Sequence, residues 1–102
     1  MNLPITNREG NRPCIELPET FNYAHHRDFK STYTPLLDDN NVRELELDFR
    51  RTNYLDSAAL GMLLMLRKAA EGAGKPVTLA NARGTVRDVL DIAHFQTLFA
   101  MK

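Results

Sequence analysis

Hydrophobic residues recur along this chain with two periods, one of two residues and one of three to four. The segment "VRELELDF" alternates apolar and charged residues, which is the period of a strand with one buried face; its apolar positions are Val42, Leu45, Leu47 and Phe49. "PVTLAN" predicts a further strand. "NLPIT" and "CIEL" flank the polar turn "NREGN", and together they predict a short hairpin that starts the chain.

The first helical segment follows this hairpin. Its apolar side chains lie at spacings of four, seven and eight residues and form a stripe on one side: Phe29, Tyr33, Leu36 and Leu37. Asn22 is the predicted N-cap, because an amide oxygen can accept a hydrogen bond from the free N–H groups of the first turn. Pro35 should kink this helix or end it nearby, since proline lacks the N–H that a helix interior uses.

Two further helices are predicted in the second half of the chain. One runs from about 56 to 71 and meets the stop "GAGKP", in which Gly72 or Gly74 can take the left-handed conformation that ends a helix. The other opens at Gly84, where the segment from Thr85 to Asp88 approximates a capping box. The tail "FQTLFAMK" predicts a short strand or helix that packs back. Strands and helices therefore alternate, which favours right-handed crossovers and a sheet that is parallel after its first hairpin.

The helix that follows "YLD" has two unlike sides when residues 57–72 are projected at about 100° per residue. One side predicts the core face: Ala58, Ala59, Met62, Leu63, Leu66, Ala69 and Ala70. The other side is polar or small, but large apolar residues flank it; its members are Ser57, Gly61, Lys68, Glu71 and Gly72, flanked by Leu60, Leu64 and Met65. This apolar flank indicates a cover, which is either a partner protein or another element of the same chain.

Ser57 has two interpretations. Serine and aspartate are both favoured N-cap residues, so "DS" ahead of an apolar helix predicts capping on residue types alone. A phosphate on Ser57 would instead lie on unpaired N–H groups at the positive end of the helix dipole, where the fold tolerates added negative charge. That phosphate would also place charge beside Leu60, Gly61 and Leu64, and a partner bound on this side would be displaced.

Composition narrows the function classes. The 102 residues contain 13 Lys and Arg against 13 Asp and Glu, so no global field attracts nucleic acid or an anionic membrane. No stretch is apolar enough for a membrane span or a secretory signal, and a cytoplasmic location is expected. Cys14 is the single cysteine, and at the start of a predicted strand it is expected to be a small buried hydrophobe.

Three segments together resemble a known family. "YLDSAALGMLLML", "GKPVTLAN" and "VRDVLDIAHFQTLF" are similar in order to the STAS domain, and most closely to the small bacterial anti-sigma factor antagonists that consist of this domain alone. The most specific part is the pattern Asp-Ser-x-x-Leu-Gly where a strand ends and a helix begins. The resemblance implies a single STAS domain over 1–102, with an α/β fold in which a small mixed sheet of about four to five strands has helices mainly on one side.

The resemblance also implies a mechanism and a site. Ser57 corresponds to a serine that a partner kinase phosphorylates and a phosphatase restores, and the unphosphorylated form binds an anti-sigma factor or another signalling partner. The implied partner-binding residues are Asp56, Leu60, Gly61, Leu64 and Asn22. Asn22 stands where an acidic residue is usual in the family, and Ala58 removes a second hydroxyl that many relatives have. A monomer or weak dimer without cofactor is expected, in a process such as motility, biofilm formation, stress response or sporulation.

Other classes receive less support. A hydrolytic site would combine Asp56 and Ser57 with one of the histidines, but no G-x-S-x-G elbow is present. His25 and His26 are adjacent and would point apart on a helix, so no metal site is expected. The remaining alternative is a STAS scaffold or accessory subunit of a signalling or transporter complex, in which the interface is permanent and Ser57 is not a switch.

Overall fold

A mixed five-stranded sheet lies at the centre of the computed structural model, which describes residues 2–7 and 10–102. The strands of this sheet are β1 (Ile5–Thr6), β2 (Cys14–Glu16), β4 (Leu45–Asp48), β6 (Val77–Ala80) and β7 (Ala100–Met101), while β3 (Thr20–Phe21) and β5 (Tyr54–Leu55) form a separate pair. The helices are α1 (His26–Asp38), α2 (Ser57–Gly72) and α3 (Gly84–Ile92), with 3-10 turns at Tyr23–His25 and Phe95–Thr97. Two residues of the predicted hairpin turn, 8 and 9, lie outside the described residues.

The central sheet has the strand order β1-β2-β4-β6-β7. β1 is antiparallel to β2, and every later pairing is parallel. From β2 onward, each crossover contains one helix and moves in the same direction across the sheet. Because such crossovers are right-handed, all three helices are expected to cover the same face. The predicted fold, a small mixed sheet with helices mainly on one side, is confirmed.

The two faces of this sheet carry different side chains. Ile15, Leu47 and Leu79 lie side by side in register on the helix-covered face, and all three have no exposed surface. The neighbouring row on the other face contains Glu16 and Asp48, which are half-buried and directly opposite each other. The alternation of apolar and acidic residues in "LELD" therefore reports the two faces correctly.

The pairing of β3 with β5 is the feature that positions the site. Thr20 lies opposite Tyr54 and Phe21 opposite Leu55, in parallel. Each strand has only two residues, too few to show a period, so the sequence did not predict them. The pairing brings the segment before α1 beside the segment before α2, and the starts of both helical segments therefore lie at the same end of the molecule.

Two predictions for the helices are wrong, and Ala58, predicted in the core, is only half-buried. Ala69, predicted in the core, is exposed on α2 because it lies at the edge of the buried arc. Of the two candidate glycines, Gly74 ends α2, with φ of 71°. The capping box from Thr85 to Asp88 is wrong, because α3 already begins at Gly84 and its N-cap, Arg83, makes no side-chain capping bond. Pro35 is accommodated within α1, which ends at Asp38.

The tail combines both predicted alternatives, since a 3-10 turn leads into β7 at the sheet edge. His94, with φ of 60°, ends the α3 segment and redirects the chain. Across the described ranges 2–7 and 10–102, no helix is both long and apolar enough to cross a membrane.

Candidate functional site

The N-terminus of α2 is capped by Asp56. This residue has extended backbone angles, and its Oδ1 accepts a hydrogen bond of 2.7 Å from the backbone N–H of Ala59. Ser57 is the first helical residue and is exposed. Its hydroxyl has no hydrogen bond to any other described residue. The capping role is therefore filled by Asp56, and the Ser57 hydroxyl is available for other chemistry.

The backbone around Ser57 is suited to an anion. Asp56 satisfies one of the free N–H groups of the first turn, while those of Ser57 and Ala58 have no acceptor within the described part of the chain. Free N–H groups at a helix N-terminus point along the positive end of the helix dipole and stabilise negative charge nearby. A phosphate attached to Ser57 would thus be at an electrostatically favourable position.

The apolar residues that flank the outer side of α2 are only partly covered by the chain itself. Leu60 is half-buried and packs against the core, whereas Leu64 is 41% exposed and Met65 53% exposed. Gly61 is exposed, and a Cβ added there would meet nothing within 4 Å. Neither the C-terminal tail nor α1 hides Leu64 or Met65, so no element of the described chain provides the full cover that the sequence indicated.

Asn22 lies beside the start of α2. It follows β3 as Asp56 follows β5, and these parallel strands are neighbours, so the two residues leave adjacent strands at the same end. The Oδ1 of Asn22 accepts a 3.0 Å hydrogen bond from the N–H of Ala24 and caps the 3-10 turn before α1. The predicted N-cap is therefore confirmed, with a 3-10 turn inserted between the cap and α1.

Two exposed tyrosines were not predicted as part of this surface. Tyr23 is 65% exposed and stacks on His26, with ring centroids 5.1 Å apart and planes at 14°. Tyr54 is 54% exposed on β5, two residues before Asp56. Exposed aromatic residues are enriched in protein interfaces. In the sequence, the available signal was a tyrosine shortly before each of the two helices. Only the pairing of β3 with β5 shows that the two tyrosines lie at the same end of the molecule.

The histidines and the cysteine were the other candidate functional residues in the sequence. His25 contacts Phe21, and its Nδ1 is buried without a hydrogen-bond partner in the described structure. Within 2–7 and 10–102, no three His, Cys, Asp or Glu side chains converge as a metal site. Cys14 is buried, and desolvation, with the Glu46 carboxylate as the next cause, raises the pKa of its thiol to about 11. A thiol with this pKa is protonated and unreactive near neutral pH.

Comparison with known proteins now identifies the family. A family model described as "Mlab, STAS domain" matches residues 6–100, and a STAS-domain containing protein of Pseudomonas aeruginosa (strain UCBPP-PA14) is 36% identical over 95 residues. The chain belongs to the STAS domain family. The alignment covers 93% of this chain and 92% of the Pseudomonas protein.

Solved structures show the STAS fold of the chain as well. The Thermotoga maritima protein TM1081 superposes with a TM-score of 0.81 at 17% identity, covering 97% of this chain and 84% of that one. The anti-sigma factor antagonist SpoIIAA superposes in its unphosphorylated form with a TM-score of 0.75 at 18% identity, covering 97% and 86%. Its phosphorylated form, described as a Bacillus cell fate determinant, gives 0.71 at 17% identity, covering 97% and 89%.

Proposed function

We propose that this STAS protein is an anti-sigma factor antagonist that works as a phosphorylation-controlled interaction switch. The unphosphorylated form binds an anti-sigma factor or another signalling protein. A serine kinase phosphorylates Ser57 and releases the partner, and a phosphatase restores binding. The observation that carries this proposal is the division of roles at α2: Asp56 caps the helix, and the exposed Ser57 hydroxyl is free beside an uncovered apolar surface.

The fold should withstand the modification. A phosphoserine carries about −1.5 to −2 charges near neutral pH, and at a helix N-terminus this charge is stabilised rather than repelled. Ser57 contributes no capping bond, so its modification removes no native contact. The similar fold of SpoIIAA has been solved in both unphosphorylated and phosphorylated forms, which supports a fold that accommodates both states.

The position of Ser57 explains how a phosphate would release a partner. Residues three and four positions apart are neighbours on a helix surface, so Leu60 and Gly61 lie one turn beyond Ser57. Leu64 lies a further turn along the same side. A partner that covers these residues would have to accommodate two negative charges at the edge of an apolar contact, which costs desolvation energy.

Gly61 provides independent support for a bound partner. Glycine in a helix interior destabilises a protein by roughly 0.5–1 kcal/mol relative to alanine. No neighbour in the chain requires a glycine here, because the space beside it is open. The absence of a side chain would, however, allow the backbone of a partner to approach α2 closely beside Ser57.

The test compares binding and modification in matched variants. The protein is captured from cells of its source as wild type, Ser57→Ala and Ser57→Asp, and bound proteins are identified and quantified by mass spectrometry. We expect one partner to be retained by wild type and Ser57→Ala but lost from Ser57→Asp. Thr85→Asp is the matched control, because Thr85 is an exposed hydroxyl residue in the first turn of α3.

The same samples locate the phosphate. The wild-type protein, incubated with ATP and the kinase recovered in the capture, should gain one phosphate, on Ser57. Phosphate only at other residues, or a partner held equally by all three forms, would contradict the switch. Equal retention would favour the alternative function, a permanent scaffold or accessory subunit.

A further inference from the structure

The outer surfaces of α1 and α2 form a shallow groove. It runs from the end of the molecule that carries Ser57 toward the C-termini of the two helices. Two adjoining concavities make up this groove, and they share Lys30 and Tyr33. One is a small depression of about 10 Å³ beside His26 and Met65, and the other, of about 420 Å³, is lined by Ala69 and Gly72 among others. We refer to the surface between Lys30, Met65 and Lys68 as the α1–α2 groove.

The groove combines exposed apolar area with cations that have no partner. Met65 is about half exposed, and Leu64 lies beside it. Lys68 lines neither concavity. It follows Leu64 by four residues and Met65 by three, so it lies next to both on the exposed ridge of α2 that borders the groove. Lys30 lines the concavity that contains Met65. Neither Lys30 nor Lys68 forms an ion pair with any described residue, whereas Arg67 and Glu71 on the same helix pair with each other.

The shape and charge of the groove indicate which kind of ligand it would bind. Two parallel ridges with an apolar floor are the usual receptor for an amphipathic helix. Unpaired lysines at the edges of the floor favour carboxylates at the matching edges of that helix. Asp38 is the carboxylate among the lining residues, and it lies at the end far from Ser57.

We propose that the α1–α2 groove binds an amphipathic helix of the partner protein, with apolar residues over Met65 and acidic residues paired to Lys30 and Lys68. This inference rests on the proposed function, since it describes the partner of the same surface. Beyond the proposed function, this inference specifies that the partner helix is acidic and that it contacts α2 in a second region, away from Ser57.

The second region is separate from the switch. Lys68 lies 11 residues beyond Ser57, which is about 16 Å along the helix axis at 1.5 Å per residue. This distance exceeds the Debye length of about 8 Å at physiological ionic strength. Substitutions at the two positions should therefore change the affinity for the partner independently, and their effects on the free energy of binding should add.

A pair of synthetic helices tests the charge preference. Both peptides have the same leucine face; one carries glutamates along its flanks and the other carries lysines. Binding to the ¹⁵N-labelled protein is followed by amide chemical shifts. We expect the acidic peptide to perturb α1 and α2 around Met65, and Lys30→Glu with Lys68→Glu to weaken it about tenfold while favouring the basic peptide. Arg83→Glu, a charge reversal at the start of α3, should change nothing.

Several outcomes would overturn the proposal. These are equal binding of both peptides, perturbation of other surfaces, or no binding of either peptide. Association with vesicles of equal parts phosphatidylcholine and phosphatidylglycerol, lost in the double lysine variant while the acidic peptide does not bind, would assign the groove to a membrane surface instead. None of these measurements involves Ser57, so the switch can fail while the groove is confirmed, and the reverse is equally observable.

Discussion

Adjacent residues at the start of α2 have separate physical roles. The Asp56 carboxylate accepts the N–H of Ala59, so it contributes to the stability of the helix. The Ser57 hydroxyl is exposed and makes no hydrogen bond within the described chain. The sequence alone could not separate these roles, because aspartate and serine are both good N-caps. The N-cap is the last residue with an extended backbone before the helix, and the structure shows that this residue is Asp56.

The first prediction concerns the stability of two neighbouring variants. Asp56→Ala should lower the free energy of unfolding by about 1 kcal/mol, the usual cost of losing a capping side chain. Ser57→Ala should change it by less than about 0.5 kcal/mol, as expected for a surface substitution without lost contacts. Urea denaturation followed by circular dichroism measures both. A loss in Ser57→Ala as large as that in Asp56→Ala would show that the serine caps the helix after all.

A second prediction concerns two glycines with opposite backbone requirements. Gly61→Ala should raise the free energy of unfolding by roughly 0.5–1 kcal/mol, because the position is helical, exposed and open. Gly74→Ala should lower it by about 1 kcal/mol, since φ of 71° is strained for a residue with a Cβ. Thermal unfolding of the two variants should therefore move in opposite directions. The more stable Gly61→Ala protein should nevertheless retain less partner in the capture experiment.

At the scale of elements, long periodic segments were predictable and short pairings were not. The strand around Leu47 and helix α2 show clear periods. Helix α2 was found within one residue of its predicted bounds, and the strand occupies Leu45–Asp48 within its predicted segment. The pair β3 and β5 has no period of its own, and its formation depends on where the larger elements place the chain. The resemblance had implied Asn22 as a site residue, but its place beside Asp56 and the Asp-Ser-x-x-Leu-Gly segment follows from this pairing, and therefore from tertiary structure.

The connection between α2 and β6 also depends on tertiary structure. The Lys75 ammonium donates hydrogen bonds to the carbonyl oxygens of Leu36 at 3.2 Å, Leu37 at 2.6 Å and Asp39 at 2.7 Å. These carbonyls lie at the C-terminus of α1, where backbone acceptors lack helical donors and the dipole favours a cation. A lysine from another part of the chain thus caps α1.

The third prediction follows from this cap. Lys75→Met keeps the aliphatic length but removes three donors, and it should lower the free energy of unfolding by about 1–3 kcal/mol. Amide hydrogen exchange should accelerate in the last turn of α1 before it does so in the sheet. Lys68→Met is the control, because Lys68 is exposed without a partner in the described chain, and it should stay within about 0.5 kcal/mol. Equal effects of the two substitutions would contradict the capping role.

At the scale of the whole molecule, two buried ionisable groups link folding to alkaline pH. Burial raises the pKa of Cys14 from 9.0 to about 11, and burial also raises the pKa of Tyr33. Both groups are neutral when protonated, and the folded state holds these protons more tightly than the unfolded chain does. Their contribution to stability is therefore fully present below the unfolded pKa values and is lost as the pH rises through the folded ones.

The fourth prediction is a difference in the pH dependence of stability. Between pH 9 and 11, the two-unit shift of Cys14 should make wild type lose about 2–3 kcal/mol that Cys14→Ala does not lose. Urea unfolding at a series of pH values, from 7 upward, measures the slopes; absolute stabilities matter less, since the substitution also changes packing. Tyr33→Phe should reduce the slope further along the same limb. Parallel slopes for wild type and Cys14→Ala would mean that the thiol ionises as easily in the folded protein as in the unfolded chain, which would contradict the prediction.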